Sequence, residues 1–590
     1  MRLSLVVMLL LALPGLPAPA LAGAPVLPPT VLSKIDPLVL AQTAGGGQAE
    51  FLVVLADQAD LSYAASLPTK IEKGRFVYHS LLAKAQSTQG PLIAWLRARG
   101  TQYQPYYIVN MVWVKGDASL LPALAARPDV ASIQANPLVK ALPDTPLLAP
   151  ASGPPLAPAG IEPNVTYIHA HQLWGLGFTG QGMVIGSGDT GVQWDHPALQ
   201  PHYRGWNGSS ADHSFNWHDS IHDSTGNPCG NDSAAPCDDF GHGTHTTGTA
   251  VGDDGAGNQI GVAPGARWIG CRNMDQGNGT PARYIECFQF FLAPYPITGT
   301  VADGNPDLAP DVTTNSWTCP LSEGCTMPNV LRSAIRAQLA AGIVTVVAAG
   351  NAGPSCSSVA EPPSIYAEAY SVGALDTGSD IIAGFSGRGP VTVDGSNRRK
   401  PDISAPGTNV RSAYPTNTYA SLSGTSMATP AVAGAVALLW SAVPALRGQV
   451  SVTEQILNDS AVHLASTECI SSGWPNNTFG YGRLDVKAAY DLASLPAGVL
   501  RGTVASSIGG SPISGAHVNV SRDLLNYNTT SSPAGLYHVH VLSGTYTVSA
   551  SAWGYLPFTL GEVKLAAGVT TTLPITLTPA MLHYLPLVAR

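Results

Sequence analysis

Three short segments carry the side chains best suited to chemistry. Asp189-Thr190-Gly191 follows the apolar run Met183-Val184-Ile185-Gly186-Ser187-Gly188. A carboxylate therefore stands at the carboxyl end of an expected buried strand, the edge where open α/β sheets collect their active sites. Asp238-Asp239-Phe240-Gly241-His242-Gly243-Thr244-His245 presents imidazoles among glycines that permit close backbone approach. A histidine in such a loop is a candidate general base. Ser423-Gly424-Thr425-Ser426-Met427-Ala428-Thr429-Pro430 precedes the apolar run from Ala431 to Trp440, expected as a helix. Ser426 would then sit where helix N–H groups and the helix dipole favour negative charge on a substrate oxygen. Singly, each residue has an ordinary structural use: Asp caps turns, Ser before a helix is an N-cap, and most histidines are structural. Jointly, a carboxylate, an imidazole and a hydroxyl are the parts of an activated nucleophile. His245 is expected to be structural.

The elements that must position these groups are legible as composition changes along the chain. From about 161 to 495, continuous apolar runs such as Trp268-Ile269-Gly270 and Ile343 to Ala349 alternate with helical patterns. Such runs suit parallel strands covered on both faces, an α/β fold with a parallel sheet flanked by helices. Residues 45–142 read as a smaller α/β unit. Phe51 to Leu55 is a strand, Leu81 to Leu96 recurs at helical spacing with a break at Gly90-Pro91, and Tyr106 to Val114 is read as one strand. A second helix from Ala118 to Ala126 and a strand near Val130 to Ile133 follow. Residues 143–160 are too rich in proline for regular structure and read as an exposed, easily cut linker. From 498 to 578, short alternating strands punctuated by glycine predict a small all-β sandwich, with Tyr537, Val539 and Val541 facing one way.

Composition narrows the class. The 590 residues imply three to five domains at roughly 100–200 residues each. Charged residues are only 11 %, and 29 Lys plus Arg against 38 Asp plus Glu leave a formal charge of -9, which argues against nucleic-acid partners. Residues 1–22 combine Arg2, an apolar run and Ala20-Leu21-Ala22, and are read as a secretory signal. An N-terminal anchor is the other reading, although the run is shorter than the roughly 20 residues that span a bilayer. No later stretch is expected to span, so no stable membrane insertion is anticipated. Eight cysteines between Cys229 and Cys469 read as disulfides of an exported, secreted protein. Proximity suggests Cys229–Cys237, Cys271–Cys287, Cys319–Cys325 and Cys356–Cys469 among many possible pairings, and the absence of a C-x-x-C pair argues against zinc.

Asp, His and Ser in this chain order, with H-G-T-H at the histidine and G-x-S-x-A at the serine, resemble the subtilisin-like serine proteases, or subtilases, over about 161 to 495. The resemblance implies a serine endopeptidase in which Ser426 attacks, His242 is the base and Asp189 orients it. It also implies that Asn351, after the apolar strand ending Ala348-Ala349-Gly350, donates to the oxyanion. Ser316, Trp317 and the segment around Gly350 would line the primary specificity pocket, with Glu361 near its floor. Thr318 departs from the glycine usual there. A carboxylate at Glu361 would favour Lys or Arg side chains; the alternative is that it points to solvent.

Residues 45–142 resemble the family's inhibitor-like propeptide, of ferredoxin-like order, and 498–578 a carboxypeptidase-regulatory-like sandwich. A self-processing zymogen acting as a monomer on protein or peptide substrates is implied, with its own propeptide as an intramolecular inhibitor. No cofactor is expected for catalysis and no metal ligand is assigned. Structural calcium is frequent in the family, and Asp212, Asp219, Asp223, Asp232, Asp238 and Asp239 form an acidic insert that could supply oxygen ligands; His196-Pro197 is followed by Ala198 where an acid is frequent, which favours a solvated acidic loop instead. Two competing readings remain open. Asp-Thr-Gly recurs at Asp376, as in aspartic proteases whose paired carboxylates share a proton, and an exported scaffold could carry an inactive protease fold.

Overall fold

The apolar runs of the middle region pair with one another, because both of their faces are covered. The computed structural model describes residues 29–140, 160–522 and 525–580, so the expected signal and nearly all of the Pro-rich linker lie outside the described residues. Seven strands form one parallel sheet in the order Ile403–Pro406, Tyr370–Leu375, Val344–Ala348, Val312–Asn315, Val184–Asp189, Arg267–Arg272, Trp217–Asp219. Val344 and Val346 pack with the helices Thr425–Ala442 and His242–Val251, whereas Val347 turns to the opposite core with the helices Pro281–Leu292 and Arg332–Ala340. That alternation is the period-2 geometry of a strand buried on two sides.

The Thr425–Ala442 helix is apolar around its whole circumference and buried from Thr425 to Trp440, the pattern of an interior helix. By length and composition it is apolar enough to cross a membrane, which corrects the expectation that no later stretch is; 89 % of it is buried inside the protein. Each fully covered Val or Leu contributes about 1.5–3 kcal/mol. Val432, Val436, Leu438 and Leu439 thus anchor the helix whose first turn carries Ser426.

The N-terminal unit is an antiparallel sheet in the order Gln102–Tyr106, Met111–Asp117, Gln48–Leu55, Val130–Ala135. This is the order of a β-α-β-β-α-β ferredoxin-like unit. Its packing continues upstream of residue 45, since Ile35 and Val39 join the core of Phe51 and Val53. The helical stretch begins earlier than its sequence pattern and splits at Gly90-Pro91 into Lys70–Thr88 and Gly90–Arg97; the later helix is confined to Leu121–Ala125. Tyr106 to Val114 is not one strand. It breaks after Tyr106 because the Tyr107 and Ile108 amides donate to Gln289 Oε1, at 2.6 and 3.3 Å, instead of to a ladder.

The C-terminal unit holds two four-stranded sheets sharing one core. Tyr537, Val539 and Val541 point inward with Val518, Val520 and Val548. Four disulfides join Cys229–Cys237, Cys271–Cys287, Cys319–Cys325 and Cys356–Cys469.

The N-terminal unit is fastened to the middle region through a buried carboxylate. Glu286, 3 % exposed, accepts from Gln104 Nε2 at 3.0 Å and Tyr106 Oη at 3.1 Å, and lies 2.7 Å from His218 Nε2 and 3.0 Å from His222 Nε2. Burial alone would lower the pKa of His222, but its bonds to Glu286 and Asp232 outweigh that and raise it from 6.5 to about 10. A histidine whose folded pKa lies above its unfolded value stabilises fully below the unfolded value and progressively less as pH climbs through the folded one. The His222 contribution is therefore complete below 6.5 and is lost by about 10. The melting temperature of the full chain should fall more steeply between about pH 7 and about pH 10 than that of His222→Gln. Parallel melting curves for the two proteins would show that His222 carries no such linkage.

Candidate active site

Asp189 ends a strand in the interior of the sheet, flanked by Val312–Asn315 and Arg267–Arg272. Its Oδ1 accepts from the Thr190 amide at 2.8 Å and lies 2.7 Å from His242 Nδ1, and its Oδ2 accepts from Thr246 Oγ1 at 3.2 Å. The carboxylate only accepts, so the facing Nδ1 carries the proton and Nε2 is left with its lone pair. Asp189 is 1 % and His242 5 % exposed, which removes the contact from water.

His242 opens a helix, His242–Val251, in which every residue is buried. Its close approach requires glycine. A Cβ on Gly243 would meet Gly191 O at 2.0 Å, and Gly191 has φ +103° with room for no Cβ against Cys237 O. His245 points away into the core, with Nε2 2.9 Å from Val410 O, and burial drives its pKa down to about 3. This is the structural role expected of it.

The helix bearing Ser426 starts at Thr425, earlier than its apolar run, so the serine lies in the first turn. Ser426 Oγ donates to Ser316 O at 3.0 Å, and Ser316 Oγ returns a bond to Ser426 O at 3.0 Å. Asn351, just beyond the Val344–Ala348 strand, accepts at Oδ1 from the Thr425 amide and hydroxyl, both at 2.9 Å. Its Nδ2 therefore points elsewhere. A Cβ built on Gly424 would lie 3.5 Å from Asn351 Nδ2 and 3.6 Å from Ser426 N, so two N–H donors flank one spot left open by glycine.

Beside that spot is a cavity of about 330 Å³ lined by Ser316, Trp317, Thr318, Gly350, Asn351, Glu361 and Ser426, together with Glu323 and Lys140. Glu361 faces it. Burial pushes its carboxyl above the usual range, a hydrogen bond from Thr318 opposes the rise, and Glu323 adds to it. The Thr318 methyl stands across from Gly350, 3.8 Å from where a Cβ there would lie. Trp317 borders the cavity, yet its ring is buried. It stacks on Tyr284 with centroids 3.8 Å apart and donates from Nε1 to Gly188 O at 2.9 Å.

Sequence reading missed Glu323 and Lys140. The Cys319–Cys325 disulfide loop carries Glu323 to the cavity, where it accepts from the Lys140 amide. Lys140 lies in a strand, Val139–Lys140, paired antiparallel with Asn278–Gly279. The short spacing of the two cysteines was the available signal for the loop, but nothing local links it to residue 140.

The acidic insert is spread among partners: Asp219 and Asp239 face Arg272, Asp223 faces Lys115 and Arg283, and Asp232 faces His222. A larger cleft of about 1230 Å³ separates the N-terminal sheet from this insert and contains none of Asp189, His242 and Ser426. Asp376 follows the Tyr370–Leu375 strand, three strand spacings from the Asp189 strand. At about 14 Å, that separation is too great for two carboxylates to share a proton.

Comparison with known proteins agrees with this geometry. Residues 180–482 match the subtilase family, and residues 499–578 match the carboxypeptidase regulatory-like domain. The chain is 35 % identical over 446 residues to Bacillopeptidase F of Bacillus subtilis (strain 168), covering 72 % of this chain and 29 % of that protein. It is 33 % identical over 293 residues to serine protease AprX of the same organism, covering 45 % and 58 % respectively. It is 34 % identical over 230 residues to subtilisin DY of Bacillus licheniformis, covering 38 % and 73 %. The chain thus spans under a third of the first of these relatives and somewhat over half of the second. With the family matching across the sheet and both helices that carry the polar cluster, the chain belongs to the subtilase family.

Proposed function

We propose that the chain is a subtilisin-like serine endopeptidase that cleaves peptide bonds with Asp189, His242 and Ser426, aided by Asn351. The observation that carries this reading is the buried 2.7 Å contact between Asp189 and His242, which leaves Nε2 of the imidazole as the basic atom. In the reaction Ser426 Oγ exchanges its bond to Ser316 O for His242 Nε2 and attacks the scissile carbonyl carbon. His242 takes the proton, Asp189 holds the ring and stabilises the imidazolium, and the imidazolium then protonates the leaving amine. The oxyanion is received between Ser426 N and Asn351 Nδ2. Those donors are fixed in advance by the helix and by the Thr425 bonds, so they need no reorganisation as charge develops. Water then hydrolyses the acyl-enzyme through the same groups.

The cavity takes the side chain preceding the cut bond. Two carboxylates, Glu361 and Glu323, in a space of about 330 Å³ favour Lys and Arg. The N-terminal unit is the propeptide. Its Val139–Lys140 strand beside the Ser426 cavity supports a product-like segment lying in the cleft, with maturation in the linker that follows. Four disulfides support a secreted enzyme working in an oxidising compartment. The C-terminal sandwich serves packing or substrate binding.

Ser426→Ala is expected to abolish peptide hydrolysis and labelling by a fluorophosphonate; undiminished hydrolysis by the purified variant rules the reading out. Asn351→Ala should stay folded, with kcat lower by about 10²–10³-fold.

Sequencing of cleavage products should show Lys and Arg enriched before the cut, and Glu361→Gln should reduce that preference about 10-fold. Because Glu361 ionises above a raised pKa, the preference should strengthen as pH rises. A cleavage profile indifferent to Lys and Arg would remove the assignment of Glu361.

A further inference from the structure

The contact between Asp189 and His242 joins two elements that are separate in the chain, and one further carboxylate grips both. Asp238 Oδ1 accepts from Thr190 Oγ1 at 2.8 Å, Phe240 N at 3.1 Å and Gly241 N at 2.8 Å. Its Oδ2 accepts from Thr244 N at 2.8 Å and Thr244 Oγ1 at 2.5 Å. Thr190 Oγ1 in turn accepts from Gly243 N at 2.9 Å. Thr190 directly follows Asp189, while Gly241 and Gly243 flank His242. We propose that Asp238 is a positioning residue, which sets the Asp189–His242 geometry by tying the turn after the catalytic strand to the first turn of the histidine helix.

The chemistry of the site favours a carboxylate here. The first N–H groups of a helix have no partner within it, and a charged acceptor both satisfies them and complements the positive helix end. The loop bearing Asp238 is itself held. Cys237 is bonded to Cys229, and its carbonyl packs so closely on Gly191 that a Cβ there would overlap it. Strand turn, disulfide loop and helix start thus meet at one side chain whose hydrogen bonds go to the residues around Asp189 and His242. The inference rests on the catalytic reading of Asp189, His242 and Ser426. Misplacement by about 1 Å costs about 10²-fold in rate, so a residue that only holds this geometry acts on turnover.

The test uses the full chain and a peptide substrate cleaved by the wild type. Asp238→Ala should lower kcat by about 10–100-fold while leaving KM within about 2-fold, because the specificity cavity is untouched. Asp238→Asn keeps one accepting oxygen and should recover part of the rate. In an Asp189→Asn background, Asp238→Ala should add less than about 3-fold, because its route of action is already gone.

Unchanged kcat would overturn the role, and so would full additivity with Asp189→Asn. If Asp238→Ala loses its melting transition, Asp238→Asn and Thr190→Val, which cuts the same tie from its other end, decide by the same readouts. A wild type that neither hydrolyses peptide nor takes up fluorophosphonate at Ser426 overturns the catalytic reading, and this inference with it. An active, labelled wild type beside an unaffected Asp238→Ala overturns the positioning role alone.

Discussion

Keeping the Asp189–His242 hydrogen bond out of water is the constraint that most of the middle region serves. A carboxylate and an imidazole on an exposed surface interact by about 1 kcal/mol or less, and thermal motion of two side chains undoes their alignment. Inside, the same pair is directional and persistent. Burying it demands that the strand be covered on both faces and that the histidine helix lie inside the protein. It also demands glycine wherever the two backbones nearly touch. Gly191, Gly243 and the wholly buried His242–Val251 helix are consequences of that requirement. The apolar helix behind Ser426 packs directly on the histidine helix and meets the same need from that side.

The sparse charge of the chain, 11 % of residues, acquires a pattern in three dimensions. Arg272 is fully buried between Asp219 and Asp239, Asp311 between Arg447 and Lys70, and Glu162 against Arg411. Buried charges survive only when paired, and such pairs gain little net free energy after desolvation. One of these centres, Asp311, lies where the N-terminal unit meets the rest, under Lys70, and buried Glu286 meets the same unit through Gln104 and Tyr106. These polar contacts fix how the unit seats, while an apolar core shared by Val77, Tyr78 and Tyr107 with Phe288 and Leu292 holds it there.

Much of the site is readable from local pattern. Asp189 and Asn351 stand out because each is polar and follows an apolar run; His242 and Ser426 stand out because glycine and a helix start accompany them. The parallel sheet is readable because its strands are continuous apolar runs. The break after Tyr106 is not readable, since the acceptor that draws the chain out of the ladder, Gln289, is 182 residues away. Glu286 resembles any other polar residue in an amphipathic helix until His218, His222 and Tyr106 converge on it. The sandwich strands alternate cleanly, so their inward residues follow from sequence, whereas the sheet in which each strand lies does not.

The amino-acid sequence alone determined the kinds of group available for chemistry, the order in which they occur and the fold class. Those properties depend on side-chain type and on periodicity within a few residues. Only the tertiary structure decided that Asp238 bridges Thr190 to the histidine helix, that Glu323 and Lys140 reach the cavity with Glu361, and that Trp317 turns its ring into the core. It also decided which donors surround Glu286. Each of these rests on contacts between segments far apart in the chain, where the partner is selected by packing and burial, and no local pattern encodes it.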